Sequence, residues 1–102
     1  MEPTITIDGT KATIALDGNL TVATTPSLEA AFASLPEGVN DITLDLSELS
    51  YVASAGLRVI VAQDKKARQN GGLVRLANPN EEVMDVLDVT GLVDILEIVQ
   101  HQ

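Results

Sequence analysis

The sequence predicts an α/β domain, and three observations carry that expectation. Strand-like and helix-like periodicities alternate along the chain with only short punctuation between them. The first two strand-like segments are joined by Asp8-Gly9, a hairpin signal that makes them an antiparallel pair. The helix-like segments are bounded by Pro, Gly and small polar residues placed where helices start and stop. The chain has 102 residues, one domain's worth of sequence, so residues 1–102 are expected to form a single unit around one core.

In chain order, Thr4 to Asp8 alternates with Ile5 and Ile7 on one face, and Ala12 to Leu16 does the same with Ile14 and Leu16. Thr25-Pro26 reads as an N-cap followed by Pro at the first helical position. Leu28, Ala31, Phe32 and Leu35 then form an i, i+3, i+4, i+7 apolar stripe, which Pro36-Glu37-Gly38 stops. Ile42 to Leu46 alternates as a strand, and Ser47 to Val52 is expected to be a short connection. A longer helix spans about Ala55 to Asn70 and is closed by Gly71-Gly72. Lys65, Lys66 and Arg68 near its C-terminal end suit the helix dipole better than they suit a binding patch. Leu73 to Ala77 is a strand. Asn78-Pro79-Asn80-Glu81 is an N-cap, a Pro and a Glu in near capping-box spacing, ahead of a helix whose apolar face is Val83, Val86 and Leu87. Thr90-Gly91 ends that helix, and Asp94 to Val99 reads as either a last strand or a short helix. The order is β-β-α-β-α-β-α-β, with four or five strands.

Composition narrows the function classes. Hydrophobic residues are 45% of the chain but aromatics only 2%, so the core is aliphatic. A net charge of −9 disfavours nucleic-acid backbones and anionic membrane surfaces, and favours a basic or mixed protein surface as partner; it equally serves solubility. The chain has no Cys, which removes disulfides, thiolate nucleophiles and Cys-based metal sites. The one His, His101, sits in the tail and reads as a solvated residue, so neither a Ser-His-Asp triad nor a metal cluster is expected, nor any cofactor. Met1-Glu2-Pro3 carries neither a basic nor an apolar leader pattern, and no apolar run approaches a membrane span, so a cytoplasmic location is expected. Asp45 at a strand end lacks the acidic pair and the Lys of a phospho-acceptor site, and Gly71-Gly72 precedes a strand instead of following one, which excludes a phosphate-binding loop there.

Four motifs, in order, carry a resemblance. Asp45 to Gly56 reads DLSELSYVASAG; Asp17-Gly18-Asn19-Leu20 lies upstream; Ala67 to Leu76 reads ARQNGGLVRL; and Val86 to Leu92 reads VLDVTGL. Together they resemble the STAS family, the sulphate transporter and anti-sigma factor antagonist domains, over nearly the whole chain. The resemblance implies a mixed β-sheet of four to five strands with the helices packed on one face. It implies an anti-sigma factor antagonist, not an enzyme, whose partner is an anti-sigma factor that is also a serine kinase. It implies phosphorylation at Ser54, where Ala53-Ser54-Ala55-Gly56-Leu57 occupies the family's D-S-S-G-L slot. Ala53 and Thr21 stand where the family carries acidic residues, so two carboxylates are missing beside the switch.

Read from the residues alone, Ser54 has two roles open to it. It can be an N-cap whose hydroxyl accepts from a first-turn N–H. It can also present its hydroxyl for phosphorylation, since a helix start favours a dianion. The following helix is apolar on almost every side in its first half. Leu57, Ile60 and Val61 are expected to bury against the sheet, leaving Val59 and Ala62 partly exposed beside Arg58. With this patch, the resemblance implies a partner-binding set of Ala53, Ser54, Ala55, Gly56, Arg58, Val59 and Ala62, with Asp17 and Thr21 supporting the switch loop; Asp45 is expected to support the same loop through hydrogen bonds to its backbone N–H groups. A monomer or weak dimer is expected. Two other readings stand beside this one: an accessory STAS subunit of a membrane lipid-transporter ATPase, and a small-ligand sensor or minor enzyme with a pocket near Ser54.

Overall fold

The computed structural model describes residues 1–100, so the tail position His101 lies outside the described residues. The strands are β1 (Thr4–Asp8), β2 (Lys11–Leu20), β3 (Asp41–Val52), β4 (Leu73–Ala77) and β5 (Glu97–Val99). The helices are α1 (Thr25–Ala33), α2 (Ser54–Gln69) and α3 (Glu81–Val89), with one short helical turn at Leu92–Asp94. The sheet order is β1-β2-β3-β4-β5. β1 and β2 are antiparallel, and every later pairing is parallel. This is the mixed five-stranded sheet the sequence led to.

Alternation decides which face the helices cover. Ala12, Ile14 and Leu16 on β2 align with Ile42, Leu44 and Leu46 on β3 and with Val74 and Leu76 on β4, and all of them are buried. The opposite face presents Thr13, Thr43 and Arg75 in one cross-strand row, with no helix over it; Arg75 Nη1 pairs with Asp41 Oδ1 at 2.6 Å. The helices supply the matching apolar stripes: Leu28, Ala31 and Phe32 from α1, Leu57, Ile60 and Ala67 from α2, Val83 and Leu87 from α3. Burial of such side chains is worth about 1.5–3 kcal/mol each, which makes this aliphatic layer the main source of stability.

One polar group belongs to the core. Asp64 of α2 is 2% exposed, accepts from Val74 N at 3.0 Å through Oδ1, and holds Arg68 Nε at 2.9 Å through Oδ2. It ties α2 to β4, and its charge is compensated where desolvation alone would be costly.

Several boundaries differ from the sequence reading. Ser47 to Val52 is strand, and so is Asp17 to Leu20, because the two segments pair with each other through Leu20 and Val52. Register shifts between Ala15 and Asp17 and between Gly18 and Asn19 let the pairing absorb Asp17-Gly18, which local propensity marks as a turn. Thr24, not Thr25, occupies the N-cap of α1, and its hydroxyl serves the preceding loop, accepting from Thr21 N at 2.8 Å and donating to Asn19 O at 2.8 Å. Asn80, not Asn78, caps α3. The segment after Gly91 holds both alternatives in turn, a helical turn and then β5.

Candidate functional site

All three helices begin where the parallel strands end, the edge at which open α/β sheets present their binding crevices. At this edge β3 passes into α2 almost without a loop. Ala53 is extended, with φ −94° and ψ 166°, and its N–H donates to Leu20 O at 2.8 Å, which clamps the turn to the end of β2. The next residue, Ser54, is already helical. Its place is N1, one position later than a cap, because Ala53 takes the N-cap and has no side-chain acceptor to offer. The capping role open to Ser54 is therefore not the one it plays. Its side chain is exposed and has no hydrogen-bond partner among the described residues.

Gly56 explains how α2 sits so close to the sheet end. A Cβ there would lie 2.5 Å from Leu20 Cδ2 and 3.3 Å from Val52 Cγ2, so only glycine lets the first turn of α2 rest on the last residues of β2 and β3. Gly56 is buried and positions the turn; it is not available as a contact surface.

From Ser54 a groove runs along α2, lined by Ser54, Leu57, Arg58, Val61, Ala62 and Lys65 on one side and by Thr90 and Leu92 on the other, with a volume of about 490 Å³. Positions 54, 58, 61, 62 and 65 share one helical stripe. That geometry refines two assignments. Val61, expected to bury against the sheet, is half-buried, packs against the core and also lines the groove, whereas Val59, expected to be partly exposed, is half-buried against the core and does not line the groove. Ala62, Arg58 and Ser54 are exposed along the groove as expected, and Ala53 and Ala55 are half-buried at its start.

The supporting residues are placed differently from one another. Asp17 and Thr21 share a separate hollow with Met1, Gly18, Asn19 and Thr24, none of which lines the groove. Thr21 is nonetheless next to the switch turn through Leu20, and its N–H is held by Thr24 Oγ1. Asp45 does not support that turn. Its Oδ1 accepts from Ser47 N at 3.1 Å within β3, because the strand runs on to Val52 and carries the chain roughly 20 Å beyond Asp45 before α2 begins.

The groove has a local charge of its own. Arg68 pairs with Asp64 and Arg75 with Asp41, but among the described residues Arg58 and Lys65 have no ion-pair partner, and no carboxylate lines the groove. Sequence reasoning missed Lys65, Thr90 and Leu92. The signal for Lys65 was its place on the Ser54 stripe; Thr90 and Leu92 arrive from a distant part of the chain and left no local sign.

Comparison with known proteins agrees with the fold. The family model described as Mlab, STAS domain matches residues 4–99. The anti-sigma-B factor antagonist of Bacillus subtilis is 35% identical over 81 residues, covering 79% of this chain and 74% of that protein. Among solved structures, a candidate anti-sigma factor antagonist from Thermotoga maritima superimposes with a TM-score of 0.89 at 28% identity, over 97% of this chain and 86% of that one. The anti-sigma factor antagonist SpoIIAA of Bacillus, in its unphosphorylated form, shares the fold with a TM-score of 0.82 at 19% identity, over 98% and 88% of the two chains. The chain belongs to the STAS domain family and is of its anti-sigma factor antagonist type.

Proposed function

We propose that this protein binds an anti-sigma factor that is itself a serine kinase, docking it on the Ser54 turn and the α2 groove, and that phosphorylation of Ser54 ends the complex. The observation that carries this reading is the state of Ser54: an exposed hydroxyl at N1 of an uncapped helix, at the rim of the largely apolar groove. The first-turn N–H groups of a helix have no intrahelical acceptors, and they and the dipole favour an added dianion. Phosphate there adds about two negative charges without unfolding the helix start. A partner seated on the groove would then have to bury that charge. Binding, not turnover, is the activity, since the relatives that match are named as regulators.

The test begins with the protein isolated from its own cells, with mass spectrometry of Ser54 and identification of what co-purifies. An anti-sigma factor supports the reading, and a transporter ATPase in its place would establish the accessory-subunit alternative. Calorimetry with the purified partner then compares Ser54→Glu with Ser54→Ala. Ser54→Glu is expected to lose at least tenfold in affinity, because an unpaired buried interfacial charge costs about 2–5 kcal/mol. Ser54→Ala is expected to bind like the wild type. Equal binding by both variants would remove Ser54 from the control of the complex.

A further inference from the structure

We infer that the α2 groove is built to take an acidic, amphipathic segment of the partner, with Arg58 and Lys65 as the two cations that fix it; this rests on the docking reading above. The chain as a whole argues the other way, since six cations face fifteen carboxylates. The groove does not share that balance. Its floor is Leu57, Val61, Ala62 and Leu92, its only charged residues are Arg58 and Lys65, and neither is neutralised by the protein's own carboxylates among the described residues. Position 53, at the start of the groove, is Ala, so it adds no carboxylate there.

Spacing supports one bound segment. Arg58 and Lys65 are seven positions apart on α2, roughly 10 Å along the axis, with Val61 and Ala62 between them. A partner helix or extended segment laid along the groove can bury apolar residues between the cations and bring a carboxylate to each. Exposed cations flanking an apolar floor are complementary to that pattern and reject a basic one.

The same layout gives phosphorylation a second effect. Ser54 and Arg58 are one helical turn apart on the same stripe. A phosphate on Ser54 would draw Arg58 to itself and repel the partner's carboxylate, so the modification would remove an attraction as well as add a charge.

The test uses the full chain and labelled peptides of about 14 residues, enough for a short amphipathic helix. One peptide carries Leu at i, i+3, i+4, i+7 with Glu on its flanks; two others replace Glu by Gln or by Lys. Fluorescence anisotropy is expected to rank Glu above Gln above Lys, and affinity for the Glu peptide is expected to fall as salt rises. The double variant Arg58→Glu, Lys65→Glu is expected to weaken the Glu peptide about tenfold and to favour the Lys peptide. An unchanged thermal melt keeps that result from being a folding effect. Equal binding of all three peptides, binding of none, or a double variant that behaves like the wild type would each overturn the inference. An anti-sigma factor that still binds the double variant normally would overturn it while leaving the docking reading intact.

Discussion

Helices α2 and α3 both start at the same edge of the sheet, and they start in opposite ways. At α3, Asn80 Oδ1 accepts from Val83 N at 2.8 Å, and its Nδ2 lies 3.1 Å from Leu49 O and 3.3 Å from Ser50 O, so one side chain both caps the helix and fastens it to β3. Glu81 and Glu82 in the first turn add favourable charge. At α2 the N-cap is Ala53, no acidic residue occupies the first turn, and the next side chain, Ser54, is exposed. One helix start is capped by a side chain; at the other, Ala53 N and Gly56 N are bonded to backbone oxygens, and the N–H groups of Ser54 and Ala55 have no acceptor among the described residues.

Breaking the tied start should have the largest effect. Asn80→Ala removes a cap worth about 1 kcal/mol and the contacts to the end of β3, for a loss of roughly 2–3 kcal/mol. For a domain of this size that lowers the thermal midpoint by roughly 10 °C, measurable by calorimetry. Next comes Gly56→Ala. Helix propensity alone would favour Ala by about 1 kcal/mol, but the new methyl meets Leu20, and overpacking costs about 1–3 kcal/mol. The expected net result is a loss of roughly 1 kcal/mol in urea unfolding; a gain would show that α2 rests less tightly on β2 than its geometry indicates.

Making the open start resemble the tied one should stabilise. Ala53→Asp supplies both an acceptor and a negative charge at the N-cap, for a gain of about 1 kcal/mol in the same unfolding experiment. The smallest effect is expected at the residue of greatest functional interest. Ser54→Ala should change stability by less than about 0.5 kcal/mol, since an exposed N1 side chain without a partner contributes little. A loss near 1 kcal/mol would mean that Ser54 caps the helix in solution after all.

How much of this was legible in the sequence depends on the range of the interaction. The stripe Leu28, Ala31, Phe32 in α1 and the alternation in β2, β3 and β4 were readable because helix and strand periods place those residues on one face whatever lies beyond. Ser54 was singled out by its motif. Its helical position was not readable, because Ser54 at N-cap and Ser54 at N1 differ in whether the backbone of Ser54 itself is extended or helical, and the helix begins one residue earlier than its motif suggested, with Ala53 as N-cap held to Leu20 O. The strand character of Ser47 to Val52 was hidden in the same way. Ser47, Glu48 and Ser50 have weak strand propensity, and pairing with the end of β2 overrides it.

The sequence by itself determined the class of fold, the faces its helices and strands bury, and the motif that marks the β3–α2 turn, because each follows from local periodicity or a contiguous stretch of residues. Only the tertiary structure decided which residues share that turn's surroundings. It brought Thr90 and Leu92 to α2, set Val61 but not Val59 along the groove, and left the Asp45 carboxylate on Ser47 within β3, away from the turn it was expected to support. It also reversed the charge of the site relative to the chain. Net charge sums over all residues without regard to place, whereas a binding surface is a selection of them, and here the fold pairs Arg68 and Arg75 with carboxylates and leaves Arg58 and Lys65 facing the groove.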